Sequence, residues 1–348
     1  MNLYFLEFRD PLFGIIIFFI IIFVITALSY WFNKLKKRED YKHLDNFLKQ
    51  FHEVPSQNEL EVLVSKGCLS EKSWLLLANS FTKSGNYEKS IEIYSQLLKV
   101  ADKTNYRDTL FLLGKTFYMA GFLERAKQTF LEILKNNPRT PQALSYLLLV
   151  YEQMKNYTAA LDVLEPLSEL KKDISVEEAY LNALIILNDV KISSEDKAQK
   201  LLEIYKKTNQ MTHMIFEYLF RVNPKIAWEN LDISKSALIV DILWQCDKKD
   251  LNFDIIMQNS FLKELYSAKK YIKEANGSFV FELDLLINLN PNTKATLGFE
   301  YVCDNCNQTY PFAFHRCSNC HAIEKMRVEL LIVKDYHRDF SEESNSFL

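Results

Sequence analysis

Six cysteines lie in the 348 residues, and four of them fall within eighteen positions near the C-terminus. They read Cys303-Asp-Asn-Cys306, ten residues, then Cys317-Ser-Asn-Cys320. Two such pairs can place four thiolates on a tetrahedron, because each Cys-x-x-Cys turns tightly and brings its two sulfurs together. The chemistry this offers is metal ligation, with disulfide pairing as the alternative for the same residues. The ion is zinc or iron. A closed four-sulfur shell leaves no position for a reacting water, so zinc there is structural, and iron would add one-electron transfer. A knuckle of this kind needs a residue at positive φ after its second cysteine. Asn307 and His321 stand there, where Asn is the best substitute for Gly and His is tolerated. His315 and His321 are near in sequence, but four cysteines already complete the shell, which leaves these histidines as surface residues. Cys68 and Cys246 stand alone and are expected as small buried side chains.

Elements must hold the two knuckles in register. Gly277 and Pro291 mark a change of character from helical to strand-like sequence. Leu297, Phe299, Tyr301 and Val302 predict a strand leading into Cys303, and the apolar run Arg327–Val333 predicts a closing strand. The metal-binding module therefore spans 296–338, followed by an acidic tail over 339–348 with the character of a frayed terminus.

Upstream, apolar residues recur with a period of 3.6, as in helices. A unit of Trp74, Leu77, Ala78, Phe81, Gly85, Tyr87, Ser90, Tyr94 and Leu97 is echoed by Leu110, Leu113, Gly114, Phe117, Gly121, Ala126, Phe130, Ile133 and Pro138. A third echo reads Leu144, Leu147, Leu148, Tyr151, Tyr157, Ala160, Leu164 and Leu167. This is the tetratricopeptide pattern of paired helices. Small residues at Ala78, Gly114, Ala126 and Ala160 let paired helices approach, and Phe81, Phe117 and Tyr151 fill the space between them. Gly85 and Gly121 turn the chain, and Pro138 closes a second helix. The offset is 36 residues from the first unit to the second, with a two-residue insertion near Lys103, and 34 from the second to the third. The repeats are clear at 71–172 and degenerate to 290. There, helices are expected at Glu177–Leu187, Lys197–Lys206, Met214–Arg221, Lys235–Cys246 and Phe253–Lys273.

The named repeat residues specify a scaffold. A ligand would meet the open side of the first helices of each pair, where periodicity places Leu75, Asn79, Thr82, Lys83, Phe111, Lys115, Tyr118, Met119, Leu149 and Glu152. Such a mixed polar and aromatic groove suits a peptide or a helix. Asn79, Lys83, Phe111, Lys115, Tyr118, Met119 and Glu152 are the candidate protein-binding residues.

The run from Pro11 to Phe32 carries no charge over twenty-two residues. At about 1.5 Å per residue it spans roughly 30 Å of hydrocarbon. Tyr30 and Trp31 suit the lipid interface, and Lys34, Lys36, Lys37 and Arg38 keep the following chain cytoplasmic. A cleaved leader fits less well, since Glu7, Arg9 and Asp10 give no basic n-region. Residues 1–33 thus read as a transmembrane anchor, and 34–70 as linker and capping helices, with Tyr41–Gly67 broken at Pro55. Forty-two basic residues against 45 acidic give a net charge of −3, which offers no footprint for nucleic acid. Seven glycines leave little for a phosphate-cradling loop, and no Walker A, G-x-S-x-G or H-E-x-x-H string occurs. The sequence points to binding and not to catalysis.

Anchor, tetratricopeptide repeats and a terminal C-x2-C-x10-C-x2-C module, in this order, resemble the lipopolysaccharide assembly protein B family of Gram-negative bacteria. Tyr301-Val-Cys303-Asp-Asn-Cys306, and His315-Arg-Cys317-Ser-Asn-Cys320-His-Ala322, carry the closest local likeness. Asn307 departs from the family's knuckle glycine, and the clear repeat tract is shorter. The resemblance implies a mainly α fold: a transmembrane helix, a tetratricopeptide-type α-solenoid and a small rubredoxin-like or zinc-ribbon β module. It also implies an inner-membrane adaptor, with Cys303, Cys306, Cys317 and Cys320 holding one zinc or iron ion. Such an adaptor regulates lipopolysaccharide biosynthesis by helping the protease FtsH degrade the deacetylase LpxC. A generic scaffold for another envelope complex, and a rubredoxin-like electron carrier, are the alternative readings.

Overall fold

The computed structural model describes residues 23–24, 70–100, 103–170, 173–290 and 293–335. Apart from Phe23 and Val24, the apolar run 11–32 lies outside the described residues, as do Cys68, the linker at 34–69 and the tail beyond Asp335. Among the described residues no helix is long and apolar enough to cross a membrane. The chain divides into two compact units between Met154 and Lys155, inside the third repeat.

The first unit contains α1 (Glu71–Lys83), α2 (Tyr87–Val100), α3 (Lys103–Met119), α4 (Leu123–Asn136) and α5 (Pro141–Gln153). Ser70 begins α1 by accepting a hydrogen bond from the Ser73 amide. Gly85 and Gly121 turn the chain with φ of 80° each, a conformation that costs a side chain about 1 kcal/mol or more. Each helix packs on the next. Trp74, Ala78, Ile93, Tyr94, Ala126, Phe130 and Ile133 are buried between them. Gly114 is small because it must be: a Cβ there would lie 2.9 Å from the Phe130 ring. Burying polar groups in such a stack demands partners. Thr82 meets the Ser90 hydroxyl at 2.6 Å and the Thr116 hydroxyl at 3.1 Å, and Ser90 donates to the Ala78 carbonyl.

The second unit opens with α6 (Tyr157–Glu169), α7 (Ser175–Asn188), α8 (Ser194–Thr208) and α9 (Thr212–Val222). Shorter elements follow: α10 (Pro224–Asn230), a 3-10 segment (Ile233–Ile239), α11 (Val240–Gln245), α12 (Phe253–Ile256), α13 (Ser260–Ala268) and α14 (Phe281–Asn288). Two expectations need correction. The helix expected at Lys235–Cys246 starts as 3-10 and becomes α only from Val240. The helix expected at Phe253–Lys273 is two helices, because Asn252 and Asn259 each cap a new start by accepting an amide hydrogen bond.

Strands β1 (Ala295–Cys303), β2 (Thr309–Tyr310) and β3 (Met326–Lys334) form an antiparallel sheet in the order β2-β1-β3. Tyr301 pairs with Tyr310, and Cys303 with Met326. The sheet shares one apolar core with the helices before it. Leu297 and Ile323 are buried in the same cluster as Tyr205, Phe216, Trp228, Leu243, Leu265 and Leu283.

Candidate metal centre and groove

The first knuckle links the end of β1 to β2. The second sits between Arg316 and Ile323, which bridge each other as antiparallel partners. In both, an amide four residues on returns to the first cysteine's carbonyl. Asn307 N–H donates to Cys303 at 2.7 Å, and His321 N–H donates to Cys317 at 2.9 Å. The turns require left-handed backbone, and Asn307 (φ 56°) and His321 (φ 61°) adopt it.

The four sulfurs converge. Cys303 lies 3.6 Å from Cys320, and Cys306 lies 3.7 Å from Cys317. All four lie within 4.8 Å of one another. A disulfide needs about 2.05 Å. Sulfurs on a tetrahedron around zinc at 2.3 Å stand about 3.8 Å apart. The donor set therefore fits one tetrahedrally bound ion, and Cys303, Cys306, Cys317 and Cys320 are the residues that would hold it.

The local electrostatics favour negative sulfur on one side of the cluster. Burial pushes the Cys303 thiol up to about 12, against hydrogen bonds from the Asn305 and Cys306 amides. Burial also opposes ionisation of Cys317, yet the Tyr310 hydroxyl and the Cys320 and Asn319 amides together bring it down to about 6. The Tyr310 oxygen lies 3.2 Å from the Cys317 sulfur. Cys320 is likewise lowered, burial being outweighed by the Asn305 side chain and the Ala322 amide. Cys246 lies elsewhere, half-buried on the core, with its thiol raised to about 11 by burial.

Sequence reasoning missed what fastens this centre to the helices. Asp241 of α11 is 3% exposed, and its Oδ2 accepts from the Tyr301 hydroxyl at 3.0 Å and the His213 Nε2 at 2.9 Å. Burial first, then the Asp241 charge, raises the Tyr301 hydroxyl. The Arg316 guanidinium stacks over Tyr180 and donates to the His321 carbonyl at 3.0 Å. His315, expected as a surface residue, has a side chain only 27% exposed and sits 3.4 Å from Glu217. These partners come from five separate segments, so no local pattern announces them.

The groove residues fall unevenly. Lys83 and Met119 are exposed, and Asn79, Phe111, Lys115 and Glu152 are half-buried. Phe111 packs on Phe130 and Tyr146, and Lys115 lies over the Tyr146 ring. Tyr118 is 9% exposed and its hydroxyl accepts from Gln153 at 3.0 Å. Thr82 and Leu149 are buried, at 5% each, and belong to the packing between helices.

The tetratricopeptide repeat family model matches residues 72–103. Lipopolysaccharide assembly protein B of Escherichia coli K12 is 30% identical over 132 residues, 37% of this chain and 34% of that protein. The chain is similar to lipopolysaccharide assembly protein B. Its counterpart in Haemophilus influenzae is 24% identical over 154 residues, 42% of this chain and 37% of that protein. The matches thus cover about a third of the length of these curated relatives. A solved tetratricopeptide repeat protein from Parabacteroides merdae aligns over 72% of this chain and 96% of its own at 15% identity, with a TM-score of 0.38.

Proposed function

We propose that this chain is a membrane-anchored adaptor in lipopolysaccharide assembly, facing the cytoplasm and binding proteins through its repeats. The observation that carries the reading is a tetratricopeptide scaffold, in a chain similar to lipopolysaccharide assembly protein B, joined to four cysteines converged at metal-binding distance. The finer reading is that it brings the deacetylase LpxC to the protease FtsH. The run 11–32 is the anchor in this reading. Confinement to one membrane surface raises the effective concentration of partners, so weak groove contacts suffice. The four-cysteine ion is zinc and structural, holding β1, β2 and the second knuckle together.

Photo-crosslinking in cells from Lys83 and Met119, the exposed groove positions, and from the half-buried Lys115 tests the partners. Capture of FtsH or LpxC is the expected result. Capture of other envelope proteins alone would replace this reading with a general scaffold. Iron with a reversible redox couple in protein from native cells would instead favour electron transfer.

A further inference from the structure

Two imidazoles and a carboxylate come together beside the cysteine module without belonging to it. His213 and Glu217 are four apart in sequence and share a face of α9, and His315 reaches them from the segment between β2 and the second knuckle. One ligand atom from each lies within 4.8 Å of the other two. The two rings are 5.8 Å apart between centroids.

The contacts of this cluster are those of a metal site. Asp241 is a buried carboxylate, and the Nε2 of His213 faces its Oδ2 at 2.9 Å. The carboxylate accepts the Nε2–H and fixes the tautomer, which leaves a bare lone pair on Nδ1. That Nδ1 is buried and has no hydrogen-bond partner, and His213 is only 6% exposed. On His315 the Nε2 lies 3.4 Å from Glu217, and the Nδ1 is buried without a partner. Both imidazoles thus carry a buried ring nitrogen that no protein group satisfies, and buried polar atoms call for a partner. Asp241, Glu217 and Glu324 surround the rings with negative charge, and Glu324 is fixed by the Thr212 amide at 3.2 Å.

We propose that His213 Nδ1, a ring nitrogen of His315 and a Glu217 oxygen form a second binding site for a divalent transition-metal ion, zinc by ligand type. Two imidazoles and one carboxylate are a known zinc set that leaves a fourth position open. Asp241 acts from behind His213 as the orienting carboxylate such ligands commonly have. The Glu217 side chain is 51% exposed, so the open position faces water and the ion has access from solvent. Ligand atoms around tetrahedral zinc are about 3.4 Å apart. A rotamer change of the exposed Glu217 side chain closes the shell. The bound ion would pin α9 to the segment carrying the second knuckle, a cross-link separate from the four sulfurs.

Cobalt(II) chloride titrated into the full chain, with its cysteine site already filled with zinc, tests the proposal. The expected result is one further equivalent bound, with weak d–d absorbance and no thiolate-to-cobalt charge transfer. His315→Gln and Glu217→Gln, both outside the deep core, are expected to weaken this binding at least tenfold while the cysteine-bound zinc equivalent stays. That retained equivalent reports that the variants are folded. No second equivalent, undiminished binding in both variants, or cobalt carrying thiolate charge transfer would each overturn the proposal and leave the cluster a hydrogen-bonded contact.

Discussion

Tyr310 shows how one hydroxyl adjusts a candidate metal ligand. Its O–H is the main hydrogen-bonding influence lowering Cys317, whose thiol is held well below the ordinary range near 9. A depressed thiol stabilises the fold fully above the ordinary range, and the contribution is lost as pH falls through about 6. Metal release on acidification follows the same protonation, since zinc requires thiolate. Tyr310→Phe removes the donor, so the midpoint of acid-induced zinc release should rise by about half to one pH unit. A zinc-sensitive dye followed across a pH series measures it. Gly114 makes a steric prediction. Gly114→Val drives atoms into the Phe130 ring and should cost about 1–3 kcal/mol, read from the thermal midpoint of the first unit. At this scale the cysteines and the small repeat positions were legible, because spacing alone gives their roles. Tyr310, Asp241 and His213 were not. What they do depends on which atoms face them, and those lie up to 102 residues away in sequence, as His213 and His315 do.

Elements were legible where packing rules repeat. From Glu71 to Gln153 three of the four helix breaks fall at Gly85, Gly121 and Pro138, residues whose backbone restrictions are readable without a structure. Strands β1 and β3 were legible from β-branched, aromatic and apolar runs, whereas β2 at Thr309–Tyr310, two residues long, carried no such signal. Between Phe253 and Lys273 the apolar period runs on through a break. The capping asparagines at 252 and 259 were the available signal, but an isolated Asn is weaker than a repeating apolar stripe. Asn259→Ala should therefore destabilise the second unit by about 1 kcal/mol without altering the first. Hydrogen exchange at the Leu262 amide, which Asn259 caps at 2.9 Å, localises the change.

At the scale of the molecule, two compact units predict two cooperative unfolding transitions. Chelation that strips the four sulfurs should lower the unfolding transition of the second unit and leave that of the first in place, which calorimetry distinguishes. A single transition shifted as a whole would show that the units unfold together. Residues after 172 matched the repeat pattern poorly because their helices no longer stack only on one another. Phe216, Leu243 and Leu283 pack in a cluster that also takes in the sheet, and that shared core relaxes the one-repeat-after-another constraint.

The sharing of that core by Leu297 and Ile323 also has a physiological side. With zinc as the proposed ion, a cell starved of it would translate this chain with its knuckles slack, and the apolar side chains under the sheet would open to housekeeping proteases. The abundance of the protein would then follow the metal supply, with no dedicated sensor, through turnover of the unligated form.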